Sequence, residues 1–141
     1  MLTSGRRTAL PRHQTLRATL DWSYELLPEP ERLVMRRLAV FVGDFTAEAA
    51  SSVAAGGEIA ASEVVRSLAN LVTKSLVTSE VGNTIAHYRL HETTRAYALE
   101  KLAASGEFEQ AARRHASYYR DFFERAEIEL ETLPATAWLA G

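Results

Sequence analysis

The sequence predicts a mainly α-helical fold with one small β-hairpin. Two observations carry that expectation. Apolar residues recur at helical spacing in several short segments before residue 76, each bounded by Pro, Gly or a capping residue. A Gly82-Asn83 pair then separates two runs of alternating character, and a helical period returns from Thr93.

Taken in order, residues 1–14 lack periodicity and carry Gly5, Pro11 and the basic residues Arg6, Arg7 and Arg12. They read as an arm or linker. Thr15 can cap a first helix to about Leu27, with Leu16, Leu20, Tyr24 and Leu27 inward and Trp22 off that stripe. Pro28-Glu29-Pro30-Glu31 stops and restarts the helix, because proline is tolerated in a first turn and acids suit a helix N-terminus. The second helix runs to about Phe41, burying Leu33, Val34, Leu38 and Phe41 and leaving Arg32, Arg36 and Arg37 outward or at its flank. Thr46 caps a short third helix, about Ala47 to Ala54. Ser62 caps a fourth, to about Ser75, with Val64, Val65, Leu68, Leu71, Val72 and Leu76 as its stripe.

Leu76–Glu80 and Thr84–Leu90 read as the hairpin strands, with Ala86, Tyr88 and Leu90 on one face and Ile85, His87 and Arg89 on the other. A helix follows, with Ala96, Leu99, Leu102 and Ala103 as its stripe and Gly106 at its C′ position. A last helix spans about Glu107 to Leu130, with Phe108, Ala111, Ala112, His115, Ala116, Tyr119, Phe122, Phe123, Ala126 and Leu130 in line. Helices followed by a hairpin is the order of a winged-helix domain. A lone hairpin is marginal, so it is expected to pack on a core made by the first, second and fourth helices. The expected organisation is an arm (1–14), a winged-helix domain (15–105) and a helical extension (106–141).

The chain has 141 residues, a formal net charge of −2 and no cysteine. This excludes disulfides and thiolate metal sites and gives no global pull toward nucleic acid. No apolar run approaches the ~20 residues that span a bilayer, and no signal peptide is evident, so the expected compartment is the cytoplasm. There is no phosphate loop, zinc-protease or nucleophile-elbow motif, so no enzyme is expected. His13, His87, His91 and His115 lack metal-site spacing on one helix, and His115, inside an apolar stripe, reads as a packed histidine.

Two candidate sites stand out. If the fold reads DNA, the fourth helix enters the groove, and its polar face offers Glu63, Arg66, Ser67, Asn70, Thr73 and Lys74. Arg66, Asn70 and Lys74 would lie at the groove, where Arg66 and Asn70 can meet base edges, but two cations against one acid make a poor phosphate footprint. The wing turn Val81-Gly82-Asn83-Thr84 carries no cation. Protein contact explains that face better, and DNA binding by this region is not expected. The second site is His87, Arg89 and His91, which share a face if the strand stays regular to residue 91. Next to a helix N-terminus they form a pH-sensitive cationic strip for phosphate or carboxylate, or simply a polar outer strand face. His91 itself either fills the strand–helix corner or adds a donor to it.

Arg12-His13-Gln14-Thr15-Leu16-Arg17-Ala18-Thr19-Leu20-Asp21-Trp22-Ser23-Tyr24-Glu25-Leu26-Leu27 resembles the stretch that follows the nucleotide-binding core in bacterial STAND-type ATPases. These are NB-ARC-like signal-transduction regulators, often LuxR- or SARP-type transcriptional regulators. Arg37 to Phe41, then Gly43, Phe45 and Thr46, is similar to that family's next segment. Leu68, Leu71, Val72, Lys74, Ser75 and Leu76 are similar to a further run, and Tyr88 to Leu90, Glu92-Thr93 and Arg95 to Ala98 to its strand-to-helix signature. The likeness covers most of residues 2–126.

The resemblance implies a regulatory winged helix, non-catalytic itself, between a nucleotide-binding domain and helical repeats of a parent chain. Met1 to Gly5 looks like the tail of a preceding domain, and Ala137-Trp138-Leu139 like the start of a further helix, so the chain reads as an excised piece or a truncated reading frame. No cofactor is expected in this piece; ADP or ATP belongs to the parent. The Met-His-Asp motif of NB-ARC proteins is similar to Leu90-His91-Glu92, with one identical residue, which implies that His91 senses the β-phosphate of ADP. A homo-oligomer through the 107–131 helix is the further partner expected, because its aromatic stripe needs cover.

Overall fold

A computed structural model describes residues 11–57, 59–81 and 85–132. Among them are six helices: α1 (Pro11–Leu26), α2 (Glu29–Leu38), α3 (Ala47–Ala54), α4 (Ala61–Thr73), α5 (Glu92–Ser105) and α6 (Phe108–Thr132). One antiparallel hairpin, β1 (Thr78–Val81) and β2 (Ala86–Arg89), lies between α4 and α5. This is the expected winged-helix order. The Gly82-Asn83 turn, residues 1–10 and the Ala137-Trp138-Leu139 segment lie outside the described residues.

The core is built by α2, α3, α4 and α5, with α1 laid against α5. Helix α2 carries Glu29 and Glu31 in its first turn, Arg36 and Arg37 in its last, and Pro30 near its start, all matched to the helix dipole and its unpaired donors. Its Leu33, Val34, Met35 and Leu38 are buried. Helix α3 begins at Thr46, whose hydroxyl accepts from the Ala49 N–H at 3.1 Å. Ala49, Ala50, Val53 and Ala54 face inward, and their small size lets neighbouring helices approach closely.

Several boundaries differ from the expectation. Pro11 already belongs to α1, since proline is compatible with a first helical turn. Leu16 of the supposed α1 stripe is exposed, whereas Leu20, Tyr24 and Leu27 are buried. Ala60, not Ser62, caps α4 and supplies no side-chain bond. The entry is set instead by the backbone: Gly56 and Ile59 exchange N–H···O bonds of 2.8 and 3.2 Å just before the cap, and the helix starts two residues earlier than expected. At its other end, Ser75 takes the left-handed conformation (φ 66°). The Ser75 N–H reaches Val72 O at 2.9 Å and the Leu76 N–H reaches Leu71 O at 3.0 Å. That pair of bonds is a Schellman ending with serine where glycine is usual.

The hairpin register pairs Thr78 with Arg89, Ser79 with Tyr88, Glu80 with His87 and Val81 with Ala86. Strand β2 alternates as expected, with Ala86 and Tyr88 half-buried and His87 and Arg89 exposed. Its seat is different from the expected one. Phe45, in the α2–α3 loop, exchanges backbone bonds with Tyr88 (2.9 and 2.7 Å) and forms an isolated bridge. The hairpin therefore meets the core through Phe45 and α3 rather than through α1, α2 and α4. In α5 the buried positions are Thr94, Tyr97, Ala98 and Leu102. Of the expected stripe, Leu102 is buried and Leu99 packs against the core, while Ala96 and Ala103 are exposed, because an alanine-rich helix with few large apolar residues has little pattern to read. Gly106 ends α5 in the left-handed conformation, as the sequence indicates (φ 83°).

Candidate functional site

Helix α4 stands where a groove-reading helix stands in this fold. Of its expected polar face, Ser67 is buried (1% exposed) and belongs to the core. Arg66, Asn70 and Lys74 are on the surface, and each meets an acid. Arg66 Nη1 lies 3.0 Å from Glu63 Oε1, one turn away. Lys74 Nζ lies 2.6 Å from Glu31 Oε1, and Asn70 Nδ2 donates to Glu31 Oε2 at 2.8 Å. Glu31 comes from α2 and is itself buried (5% exposed). In the sequence Glu31 reads only as a helix-start acid. Nothing local links it to residues 39 and 43 positions later. With Glu31 and Glu63 present, the formal charge of the face is balanced.

His87, Arg89 and His91 do come together. With Asp44, Thr78 and Glu80 they line a small open cavity of about 190 Å³. His91 caps α5 with extended backbone (φ −60°, ψ 153°), and its ring makes no capping bond. The strip is less cationic than the sequence suggests. Arg89 Nε sits 3.3 Å from Asp44 Oδ1, and Glu80 lies directly across the ladder from His87. Opposite charges across a strand pair attract, so any anion in this cavity competes with two carboxylates.

His115 is half-buried, edge-on to Phe41 (ring centroids 5.2 Å) and tilted against Tyr119 (4.9 Å). Burial pushes its pKa below the ordinary histidine value. The described residues contain no group of three or more His, Cys, Asp or Glu that could hold a metal ion. The side chain of His13 lies outside the described residues.

The most heavily bonded charged cluster was not foreseen. Arg37, expected outward or at the helix flank, is 4% exposed. Its Nη1 donates to Ala54 O (2.7 Å) and Gly56 O (3.3 Å), and its Nη2 to Glu107 Oε2 (3.0 Å). Arg114 of α6 donates to Ala55 O. Two guanidinium groups thus cover the carbonyl end of α3, where the helix dipole is negative. Arg36 adds a 3.7 Å contact to Glu107 and donates to the Tyr24 hydroxyl at 2.9 Å. The hydrogen bond from Arg37 is the main cause holding the Glu107 carboxyl below the usual glutamate range. The cluster is structural: it ties α6 to α2 and α3.

A helix bundle carrying a two-stranded wing, with charged groups paired to one another, defines a winged helix. The chain belongs to the winged helix-turn-helix domain family, which matches residues 27–103. Over 154 aligned positions it is 43% identical to the Mycobacterium tuberculosis protein named "Putative HTH-type transcriptional regulator Rv0890c" and to the Mycobacterium bovis protein named "Putative HTH-type transcriptional regulator Mb0914c". Those alignments cover 98% of this chain and 17% of each relative. It is also 41% identical over 108 residues to the M. tuberculosis "Uncharacterized protein Rv0894", covering 76% of this chain and 28% of that protein. The chain thus spans about a sixth of the length of the regulators it resembles. No solved structure matches it. Among the described residues no helix is long and apolar enough to cross a membrane.

Proposed function

We propose that this chain is a non-catalytic regulatory module of a larger transcriptional regulator, acting through macromolecular contact. The observation that carries the reading is the winged helix-turn-helix match together with likeness, over nearly the whole chain, to proteins named as HTH-type transcriptional regulators. The relatives are about six times longer than the aligned stretch, so the chemistry of the whole regulator belongs to other parts.

Two contacts are open to such a module. The family and the relatives' names favour DNA, with Arg66, Asn70 and Lys74 of α4 at the groove. Arg66 is an exposed side chain whose surface ion pair with Glu63 is weak enough to exchange for phosphate. The charge balance on α4 favours protein instead: Glu31 and Glu63 would have to be released before either cation met a phosphate. Fluorescence anisotropy with duplex DNA separates the two. A steep salt dependence, lost in the Arg66→Ala/Lys74→Ala double variant, establishes the DNA contact. Affinity that is flat in salt and unchanged in the variant removes it.

A finer form of the protein contact is docking on a nucleotide-binding core of the same regulator, with His91 facing the β-phosphate of ADP. Its support is the exposed His91 ring at a helix start, free of any capping bond. In the full-length regulator, His91→Ala should speed ADP release. Unchanged nucleotide off-rates would sink that assignment.

A further inference from the structure

Two of the three α4 side chains placed at the groove are tied to one carboxylate. Lys74 Nζ donates to Glu31 Oε1 at 2.6 Å, and Asn70 Nδ2 to Glu31 Oε2 at 2.8 Å. The Glu31 side chain is 7% exposed, against 43% for Lys74. A carboxylate that deep has given up its water, and these two donors replace it. Drawing Lys74 away leaves a buried charge without its counter-charge, which is the costly way to break an ion pair. Arg66 stands differently. Its partner Glu63 is one turn away on the same helix, the two side chains are 65 and 35% exposed, and water replaces either partner at little cost.

A phosphate offered to Lys74 replaces its bond but does nothing for Glu31, which stays buried and loses a donor. Asn70 is restricted in another way. Two bonds to adenine need its Nδ2 as donor and its Oδ1 as acceptor. With Nδ2 given to Glu31, Oδ1 is the atom left to face a base. We infer that Glu31 is a positioning residue that withholds Lys74 from phosphate and makes Asn70 an acceptor only, an inference that rests on the DNA reading of this module. Among the described residues of α4, Arg66 is then left to carry the phosphate contact. The restraint comes from the first turn of α2 and not from the helix that would enter the groove. Its consequence is unusual for an acid-to-amide change away from the groove: removing the Glu31 charge should strengthen DNA binding by one phosphate contact.

The test is duplex-DNA anisotropy with the full 141-residue chain across a salt series. Each phosphate neutralised adds about 0.9 to the slope of log affinity against log salt. Glu31→Gln should tighten binding several-fold at low salt and steepen that slope by about 0.9, because Lys74 is released. Glu31→Gln/Lys74→Gln should return both to the wild-type values. Glu124→Gln, exposed on the distal part of α6, adds the same charge and should leave the slope as it is. The chain has two lysines, Lys74 and Lys101. NMR of the wild type with carbon-13 methylated lysines follows each, and saturating DNA should leave the Lys74 signal in place. That measurement stands even if a urea melt shows Glu31→Gln to be unfolded. Where the wild type binds and Arg66→Ala loses it, an unchanged slope in folded Glu31→Gln overturns the inference and leaves the DNA reading intact. A Lys74 signal shifted by DNA in the wild type overturns it as well, as does a slope that falls in the double variant. Binding by none of these chains removes the DNA reading and the inference together.

Discussion

The two halves of α6 are made of similar residues and live in different surroundings. From Ala111 to Tyr119 the helix is joined to the core, while Phe108, expected in its stripe, is exposed. Ala111 is buried, Arg114 covers the end of α3, and His115 and Tyr119 pack on Phe41. Beyond Tyr119 the aromatic residues continue at the same spacing, yet Phe122 and Phe123 face water. The difference is supplied by the other side of the contact. Phe41, the α3 carbonyls and the Arg36–Arg37 pair lie beneath the first half, and the described residues put nothing comparable beneath the second. An amphipathic pattern records that a helix can be covered, not which part of it is covered by its own domain.

That contrast can be broken most strongly at Glu107. Glu107→Ala leaves Arg37 buried beside carbonyls with no counter-charge, and should lower stability by about 2–3 kcal/mol, less than for a fully enclosed pair because Glu107 is partly exposed. Urea unfolding measures it. Gly56→Ala should cost about 2 kcal/mol. Its φ of 130° is a conformation alanine strains to adopt, and an added Cβ would run into the Arg114 guanidinium. Amide exchange in α6 should rise through Tyr119 in that variant and hardly change beyond it.

A pH scan sharpens the same comparison with smaller effects. The depressed Glu107 carboxyl contributes stability that is present above the ordinary glutamate pKa near 4.5 and lost as pH falls through its folded value. His115, lowered by burial, acts at higher pH. Its unfolded form takes up a proton first, so stability is full above about 6.5 and declines as pH falls below that. Thermal melts should therefore fall in two stages, with Glu107→Gln flattening the acid stage and His115→Gln the earlier one. The smallest effect belongs to the distal half. Phe123→Ser should leave stability within about 0.5 kcal/mol by urea unfolding, since it removes no buried contact.

Much of the architecture was readable because it depends on local chemistry. Thr46 at the start of α3, Gly106 at the end of α5, and the alternation of Ala86 to Leu90 need only neighbours in the chain. The candidate sites were half readable. His87, Arg89 and His91 share a cavity as their spacing implies, but Asp44 and Glu80 enter it from a loop and the facing strand. The expected roles of Arg66, Asn70 and Lys74 rest on their place on α4, while Glu31 arrives from α2 to hold two of them.

The sequence by itself determined which segments are helix, where the hairpin falls and most of the large apolar core residues of α2 and α4, though not Leu16 or Val65, which are exposed. Those choices follow from period, caps and turn residues within a few positions of one another. Only the tertiary structure decided the fate of the charges. Arg37 is buried because carbonyls of α3 and a carboxylate some 70 residues away converge on it. Lys74 and Asn70 are held because Glu31 is brought beside them. Phe122 and Phe123 remain open because the core ends beneath Tyr119. Electrostatic energy depends on distance in space and on burial, and neither can be read from separation along the chain.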